Sequence, residues 1–182
     1  MQTSVTPLSG LLILEPKMFG DERGFFLESF NQRAFDAALG HSVNFVQDNH
    51  SCSQRGVLRG LHYQLAPHAQ GKLVRVVRGS AFDVAVDVRR NSSTFGRWFG
   101  VMLDAASQRQ LWIPPGFAHG FMALEADTHF LYKTTDYYAQ DCERAIAWND
   151  AAIGIDWPAL GNAPLLAAKD AAAPTLAQAD TF

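Results

Sequence analysis

The sequence has no basic excess, no long apolar run and very little cysteine, and it lacks the compact motifs of the commonest cofactor sites. Its 15 lysines and arginines stand against 18 aspartates and glutamates, a formal net charge of −3. Nothing in that balance favours duplex nucleic acid or an anionic membrane as the main partner. An anionic small molecule stays open, because a pocket needs only a few local cations. The longest apolar runs, such as residues 11–14, fall far short of the ~20 residues that span a bilayer. No charged segment followed by an apolar one opens the chain, so no secretion signal is expected. The two cysteines, Cys52 and Cys142, form no CxxC. They suit a reducing cytoplasm, as small inert side chains. GxGxxG and GxxxxGK[ST] are absent, and with them the phosphate cradles of dinucleotide and P-loop proteins. The six histidines, His41, His50, His62, His68, His119 and His129, make neither HxH nor HExxH. No metal or other cofactor is therefore expected.

What is present describes a β protein. A length of 182 residues, 48% apolar and 18% charged, predicts one globular domain over 1–182. Phe82, Val84, Val86 and Val88 alternate with Ala81, Asp83, Ala85 and Asp87, the period of a half-buried strand. Residues 72–78 form a β-branched run before it, with Gly79-Ser80 as the turn. Further strands are expected within 25–30, 45–51, 56–63, 97–103, 109–113, 117–124, 130–138 and 145–148. Short strands separated by Gly, Pro, Asn and Asp predict a sandwich or a barrel. Helix is scarce. Residues 31–39 carry an N-capping Asn31, apolar residues at helical spacing and a Gly40 stop. The Ala-rich tail from residue 163 is broken by Pro164 and Pro174. It reads as one or two short helices or as an ordered arm.

Three polar clusters fall on expected strands: Gln47-Asp48-Asn49-His50, Leu58-Arg59-Gly60-Leu61-His62-Tyr63-Gln64 and the segment 112–121 around His119. Strict alternation puts Arg59 and Tyr63 on one face, and Gly60, His62 and Gln64 on the other. His62, beside Leu61 and Gly60, would be partly desolvated, a setting in which imidazole stays neutral and can act as a base. Each residue also has a plain structural reading. A histidine among apolar neighbours is more often a satisfied core residue, Arg59 and Lys72 more often surface cations, and Asp170 as readily a helix cap.

The set of motifs goes further than any one of them. Phe19-Gly20-Asp21-Glu22-Arg23-Gly24-Phe25-Phe26, Phe45-Val46-Gln47-Asp48-Asn49-His50-Ser51, Val57-Leu58-Arg59-Gly60-Leu61-His62, Gln70-Gly71-Lys72-Leu73-Val74-Arg75, Phe82-Asp83-Val84-Ala85-Val86-Asp87, the segment 112–121, Phe130-Leu131-Tyr132-Lys133 and Gly154-Ile155-Asp156-Trp157-Pro158 occur in one order over nearly the whole chain. Together they resemble the dTDP-4-dehydrorhamnose 3,5-epimerase family, cupin-type nucleotide-sugar epimerases of dTDP-L-rhamnose biosynthesis. The resemblance implies a mainly β, jelly-roll barrel with a few short helices, a cytoplasmic homodimer, no metal and no cofactor. The implied substrate is a dTDP-4-keto-6-deoxy sugar, inverted at C3 and C5.

The resemblance also implies roles. His62 is the base, Asp170 orients it, Tyr132 donates a proton from the opposite face, and Lys72 stabilises the enolate oxygen. Arg23, Arg59 and His119 contact diphosphate and sugar. Gln47, Asp48 and Asn49 supply short hydrogen-bonding groups, and Tyr138 stacks on thymine. Phe26, Glu28, Glu143 and Lys169 make further substrate contacts. Segment 1–30, with Arg23, Phe26 and Glu28, reaches the partner's site. Three rival readings remain: a single-carbon epimerase of a related sugar, a metal-binding cupin oxygenase, whose HxH is missing, and an inactive sugar-binding jelly roll.

Overall fold

The computed structural model describes residues 2–182; Met1, the first residue of the expected segment 1–30, lies outside them. Thirteen strands run β1 Gln2–Val5, β2 Leu12–Glu15, β3 Met18–Asp21, β4 Gly24–Leu27, β5 Gln47–Ser53, β6 Leu58–Gln64, β7 Lys72–Arg78, β8 Ser80–Asp87, β9 Trp98–Asp104, β10 Gln110–Ile113, β11 Phe117–Ala123, β12 Thr128–Thr134 and β13 Glu143–Ala145. Two helices accompany them, α1 Gln32–Leu39 and the single turn α2 Ala168–Ala171. The strands form a six-stranded sheet, β1-β2-β10-β7-β12-β5, and a five-stranded sheet, β13-β6-β11-β8-β9, with β3-β4 as a separate hairpin. The fold is mainly β, as expected. Its two sheets face one another as a sandwich whose edges are not joined by hydrogen bonds.

Apolar side chains from both sheets meet in the middle. Val74 and Val76 of β7, Leu111 of β10 and Phe130 of β12 pack against Ala85 of β8, Leu103 of β9 and Phe117 and Phe121 of β11. Phe121 and Phe130 stack across the gap with ring centroids 4.0 Å apart.

The expectation of a half-buried β8 is corrected. Its apolar face does not line the gap between the sheets. Val84, Val86 and Val88 point outward, where Ile146, Ile153, Ala179, Leu176 and Phe182 cover them. Ala81 and Ala85 turn into the gap, and Asp83 and Asp87 are fully buried. β8 is therefore buried on both faces, because the C-terminal segment supplies a second cover.

That segment is an ordered arm with one helical turn. It is tied down along its length: Leu165 bridges Val57, the Ala147 N–H donates to Pro174 O (2.8 Å) and the Phe182 N–H to Val88 O (3.1 Å). The Leu176 N–H donates to Asp150 Oδ2 (2.7 Å), and the Tyr63 hydroxyl donates to Asp180 O.

α1 forms where its caps placed it. Asn31 Oδ1 accepts from the Ala34 N–H (3.0 Å), and Gly40 closes the helix at φ +78°. Phe35 seats the helix on the outer face of the six-stranded sheet, edge-on to Trp112. Of the first four strands the sequence pattern marked only β4, within 25–30. β1, β3 and nearly all of β4 are exposed, and Phe19, Phe25 and Phe26 of the hairpin are 54%, 61% and 71% accessible. Neither cysteine is buried, and Cys52 is exposed, against the expectation of two inert apolar side chains. Among the described residues no helix is long and apolar enough to cross a membrane.

The turn after β8 is held by one carboxylate. Asp87 accepts from Arg89 Nη2 (2.7 Å), Ser92 Oγ (2.6 Å) and Thr94 Oγ1 (2.6 Å). Burial alone would raise its pKa, but these donors outweigh burial and hold it at about 2. A depressed carboxyl stabilises the fold above its unfolded value of about 3.9, and that contribution is lost as pH falls toward about 2. We expect Asp87→Asn to lower unfolding stability by about 2–3 kcal/mol at pH 7. Urea titrations of variant and native chain should draw together below about pH 4 and converge only as the pH approaches about 2.

Candidate active site

At one end of the sandwich the apolar filling stops and a cavity of about 490 Å³ opens between the sheets. Alternation of β5 turns Gln47, Asn49 and Ser51 into it, with Lys72 and Tyr132 beside them on the same sheet. The five-stranded sheet contributes Arg59, His62 and Gln64 from β6, His119 and Phe121 from β11, and Glu143 from β13. Tyr138, Lys169 and Asp170 close the rim.

One irregularity places two of these side chains. Strict alternation sends Arg59 and His62 to opposite faces, yet both line the cavity. Opposite β11, His62 pairs with His119 and Arg59 with Phe121, so β6 spends one residue more than its partner. A bulge of this kind resets the alternation. Leu61 and Tyr63 then face the outer core, while Arg59, His62 and Gln64 face the cavity. Gly60 makes this possible. It sits at φ +117°, and a Cβ there would lie 2.6 Å from both Gly120 Cα and His119 O.

His62 Nε2 lies 2.6 Å from Asp170 Oδ1, with Asp170 almost fully buried on α2. Burial pushes the Asp170 carboxyl up, but the His62 hydrogen bond and charge outweigh it, and the net shift is downward. The carboxylate is thus ionised and bonded to the ring, the arrangement that fixes an imidazole's orientation and supports its protonated form. Across the gap, burial raises the Tyr132 phenol above its ordinary value despite the nearby Arg59. It remains protonated at neutral pH.

Lys72 is buried, and its Nζ donates to His62 O (3.3 Å). Loss of solvation pulls its ammonium down to about 8, against the attraction of Glu143 and Asp83. Glu143 accepts from Lys169 Nζ (3.0 Å) and from the Tyr138 hydroxyl (3.0 Å). Those bonds outweigh burial and lower the Glu143 carboxyl.

The structure thus gathers His62, Asp170, Tyr132, Lys72, Gln47, Asn49, Arg59, His119, Tyr138, Glu143 and Lys169 around one cavity. It does not bring in Asp48, expected as a binding residue. The alternation that turns Gln47 and Asn49 inward turns Asp48 outward, where it pairs with Lys133 Nζ at 2.9 Å. Arg23, Phe26 and Glu28 also lie outside this chain's cavity. Arg23 is bound to Asp21 on the exposed hairpin, and Glu28 accepts from Asn31.

The residue list drawn from sequence omitted Ser51, Gln64, Gln70 and Phe121, which line the cavity. It also omitted Asp83, which accepts from His119 Nε2 at 2.7 Å with its second oxygen unpartnered. Ser51 and Asp83 were signalled by strand period alone. Gln64 shares its face with His62, but its Nε2 is spent on His68 O (2.6 Å) and Tyr137 O (3.2 Å).

A family model described as dTDP-4-dehydrorhamnose 3,5-epimerase matches residues 5–178. The chain belongs to this family. It is 60% identical over 174 residues to the dTDP-4-dehydrorhamnose 3,5-epimerase of Salmonella typhimurium, covering 96% of this chain and 94% of that one. A crystal structure of the Legionella pneumophila 3,5-epimerase in complex with dTDP-4-keto-L-rhamnose superposes with a TM-score of 0.94 at 52% identity, over 98% of this chain and 94% of that one. A 3'-monoepimerase from Streptomyces bikiniensis, in complex with dTDP-quinovose, gives 0.89 at 39% identity, over 95% and 88%.

The epimerase cavity depends on the Gly60–Gly120 approach, so Gly60→Ala should cost several kcal/mol of stability, of the order seen for overpacked cores and strained positive-φ sites. Gly20→Ala, whose Cβ would meet only Gly24 O at 3.7 Å, should change unfolding stability by no more than about 0.5 kcal/mol and leave the midpoint near native. Equal midpoints for the two variants would contradict the packing argument.

Proposed function

We propose that this epimerase converts dTDP-4-dehydro-6-deoxy-D-glucose to dTDP-4-dehydro-L-rhamnose by inverting C3 and C5. The observation that carries the reading is the opposition of His62, paired with Asp170, on one sheet to Tyr132 on the other, with the Lys72 ammonium lining the same cavity.

The C4 carbonyl acidifies the C–H bonds on either side of it, because the electron pair left behind delocalises onto the carbonyl oxygen. His62 takes the proton from carbon and becomes imidazolium, which the Asp170 carboxylate stabilises. The negative charge that develops on the C4 oxygen is met by the buried ammonium of Lys72. Tyr132 returns a proton to the same carbon from the opposite face, so the centre inverts. Solvent re-protonates the phenolate and removes the proton from His62, and the cycle repeats at the second carbon. No redox partner is consumed. Arg59, His119 and Lys169 place positive or donor groups for the diphosphate. Exposed Tyr138 offers an aromatic face to the base. The net charge of −3 does not oppose an anionic substrate, since the cavity gathers its cations locally.

The working unit is a homodimer acting in the cytoplasm. The free thiols of Cys52 and Cys142 suit that compartment. The apolar faces of the β3–β4 hairpin suit burial against a second subunit, with Arg23, Phe26 and Glu28 completing the partner's cavity. Each mixed dimer of Arg23→Ala and His62→Ala chains would then hold one intact site. Mixing the two inactive variants should restore about a quarter of native turnover after subunit exchange, and no recovery would remove Arg23 from the partner's site.

Turnover in D₂O tests substrate and reaction together. NMR of the product should show deuterium at both C3 and C5. Deuterium at one carbon alone would identify a single-carbon epimerase instead. His62→Ala should abolish exchange while substrate still binds, and Tyr132→Phe should retain exchange but lose inversion. Lys72→Met should lower kcat about 10²–10³-fold. Because the Lys72 ammonium is lost as pH rises through about 8, kcat/KM of the native enzyme should fall above that pH.

A further inference from the structure

We propose that His50 and His129 form a chelating site for a late first-row divalent metal ion of the nickel–copper class, on the face of the six-stranded sheet that points away from the catalytic cavity. The site is independent of the epimerase reading and involves none of its residues.

The two histidines come from neighbouring strands. Alternation turns Gln47, Asn49 and Ser51 of β5 into the cavity and leaves His50 exposed on the outer face. On β12, His129 stands opposite Cys52 and Leu131 opposite His50. The imidazoles therefore meet on the diagonal, a separation that long side chains reach across. His50 Nε2 and His129 Nδ1 are 3.0 Å apart, with ring centroids at 5.0 Å. Without a metal, one ring donates its N–H to the other. With both facing nitrogens carrying lone pairs, a metal ion in front of the sheet can replace that shared proton and be held by both rings.

The spacing selects the ion. At metal–nitrogen bonds of about 2.0–2.1 Å, two nitrogens 3.0 Å apart subtend about 95° at the metal. That is the angle between adjacent positions of an octahedral or square-planar site, and it is narrower than the tetrahedral angle zinc takes in structural sites. Imidazole nitrogen suits nickel and copper, which stand high in the affinity order of divalent first-row ions. Among the described residues no three His, Cys, Asp or Glu side chains gather to hold a metal, so water fills the remaining positions. A bound ion would staple edge strand β5 to β12. That clamp lies directly behind Asn49 and Ser51, on the same two strands in which Asn49 pairs with Tyr132.

Calorimetric titration of chelator-treated, tag-free protein with NiCl₂ tests the site. One ion per chain is expected, with a rise in thermal midpoint. His50→Ala and His129→Ala should each weaken binding at least about tenfold and remove the thermal shift, while far-UV circular dichroism and epimerase turnover stay native. Cys52→Ser should bind as the native chain does. Three outcomes overturn the proposal: no binding at millimolar Ni²⁺, equal binding by the double variant His50→Ala/His129→Ala, which would place the ion elsewhere, or Zn²⁺ binding more tightly than Ni²⁺.

Discussion

A charge withdrawn from water governs the open end of the sandwich. Lys72 is only 9% exposed, and the group it donates to is a backbone carbonyl, so its ammonium pays for burial without a contacting carboxylate. Glu143 and Asp83 oppose that cost from a distance. Each is itself committed, Glu143 to Lys169 and Tyr138, Asp83 to His119. Glu143 and Lys169 thus neutralise one another directly, while the Lys72 ammonium is compensated only from a distance. An apolar filling of the same volume would be the more stable choice. The polar one is intelligible as a preorganised field, aimed at charge that arises only when a substrate reacts.

The sequence announced some of this and concealed the rest, for reasons that differ by element. The Phe82–Val88 alternation and the capped helix at 32–39 were legible because their signals are local. β1 and β3 were not, since both are held by backbone pairing with their side chains in solvent and so carry no apolar period. At β6 the period misled. One extra residue moved Arg59 to the His62 face, and a bulge leaves no mark in composition beyond a glycine. At β5 the period was right: alternation alone separates Gln47 and Asn49 from Asp48, and the family resemblance blurred what it said. Asp170 was the opposite case. Its distance of 108 residues from His62 along the chain makes their contact invisible to any local pattern, and only the resemblance paired them.

The C-terminal arm explains how so distant a partner is held at 2.6 Å. It crosses the outer face of the five-stranded sheet, buries Ala179 and packs Leu176 and Phe182 against the valines of β8. Its last residues fasten to Val88, Arg90 and Tyr63. Asp170 thus rides on a segment anchored on both sides by the sheet that carries His62. The hairpin at the other end of the sequence leaves its phenylalanines facing solvent, the kind of apolar surface that the proposed dimer would cover.

His62 and Tyr132 belong to different sheets, and packed sheets stand about 10 Å apart. Where the apolar filling stops, the cavity of about 490 Å³ between the two layers leaves space for a small ring. The sandwich therefore acts as a gauge as well as a scaffold. On the proposed mechanism, which face of the sugar meets His62 and which meets Tyr132 is decided by which sheet lies on each side. A protein that must reverse handedness at carbon has delegated the distinction between left and right to the two layers of its own fold.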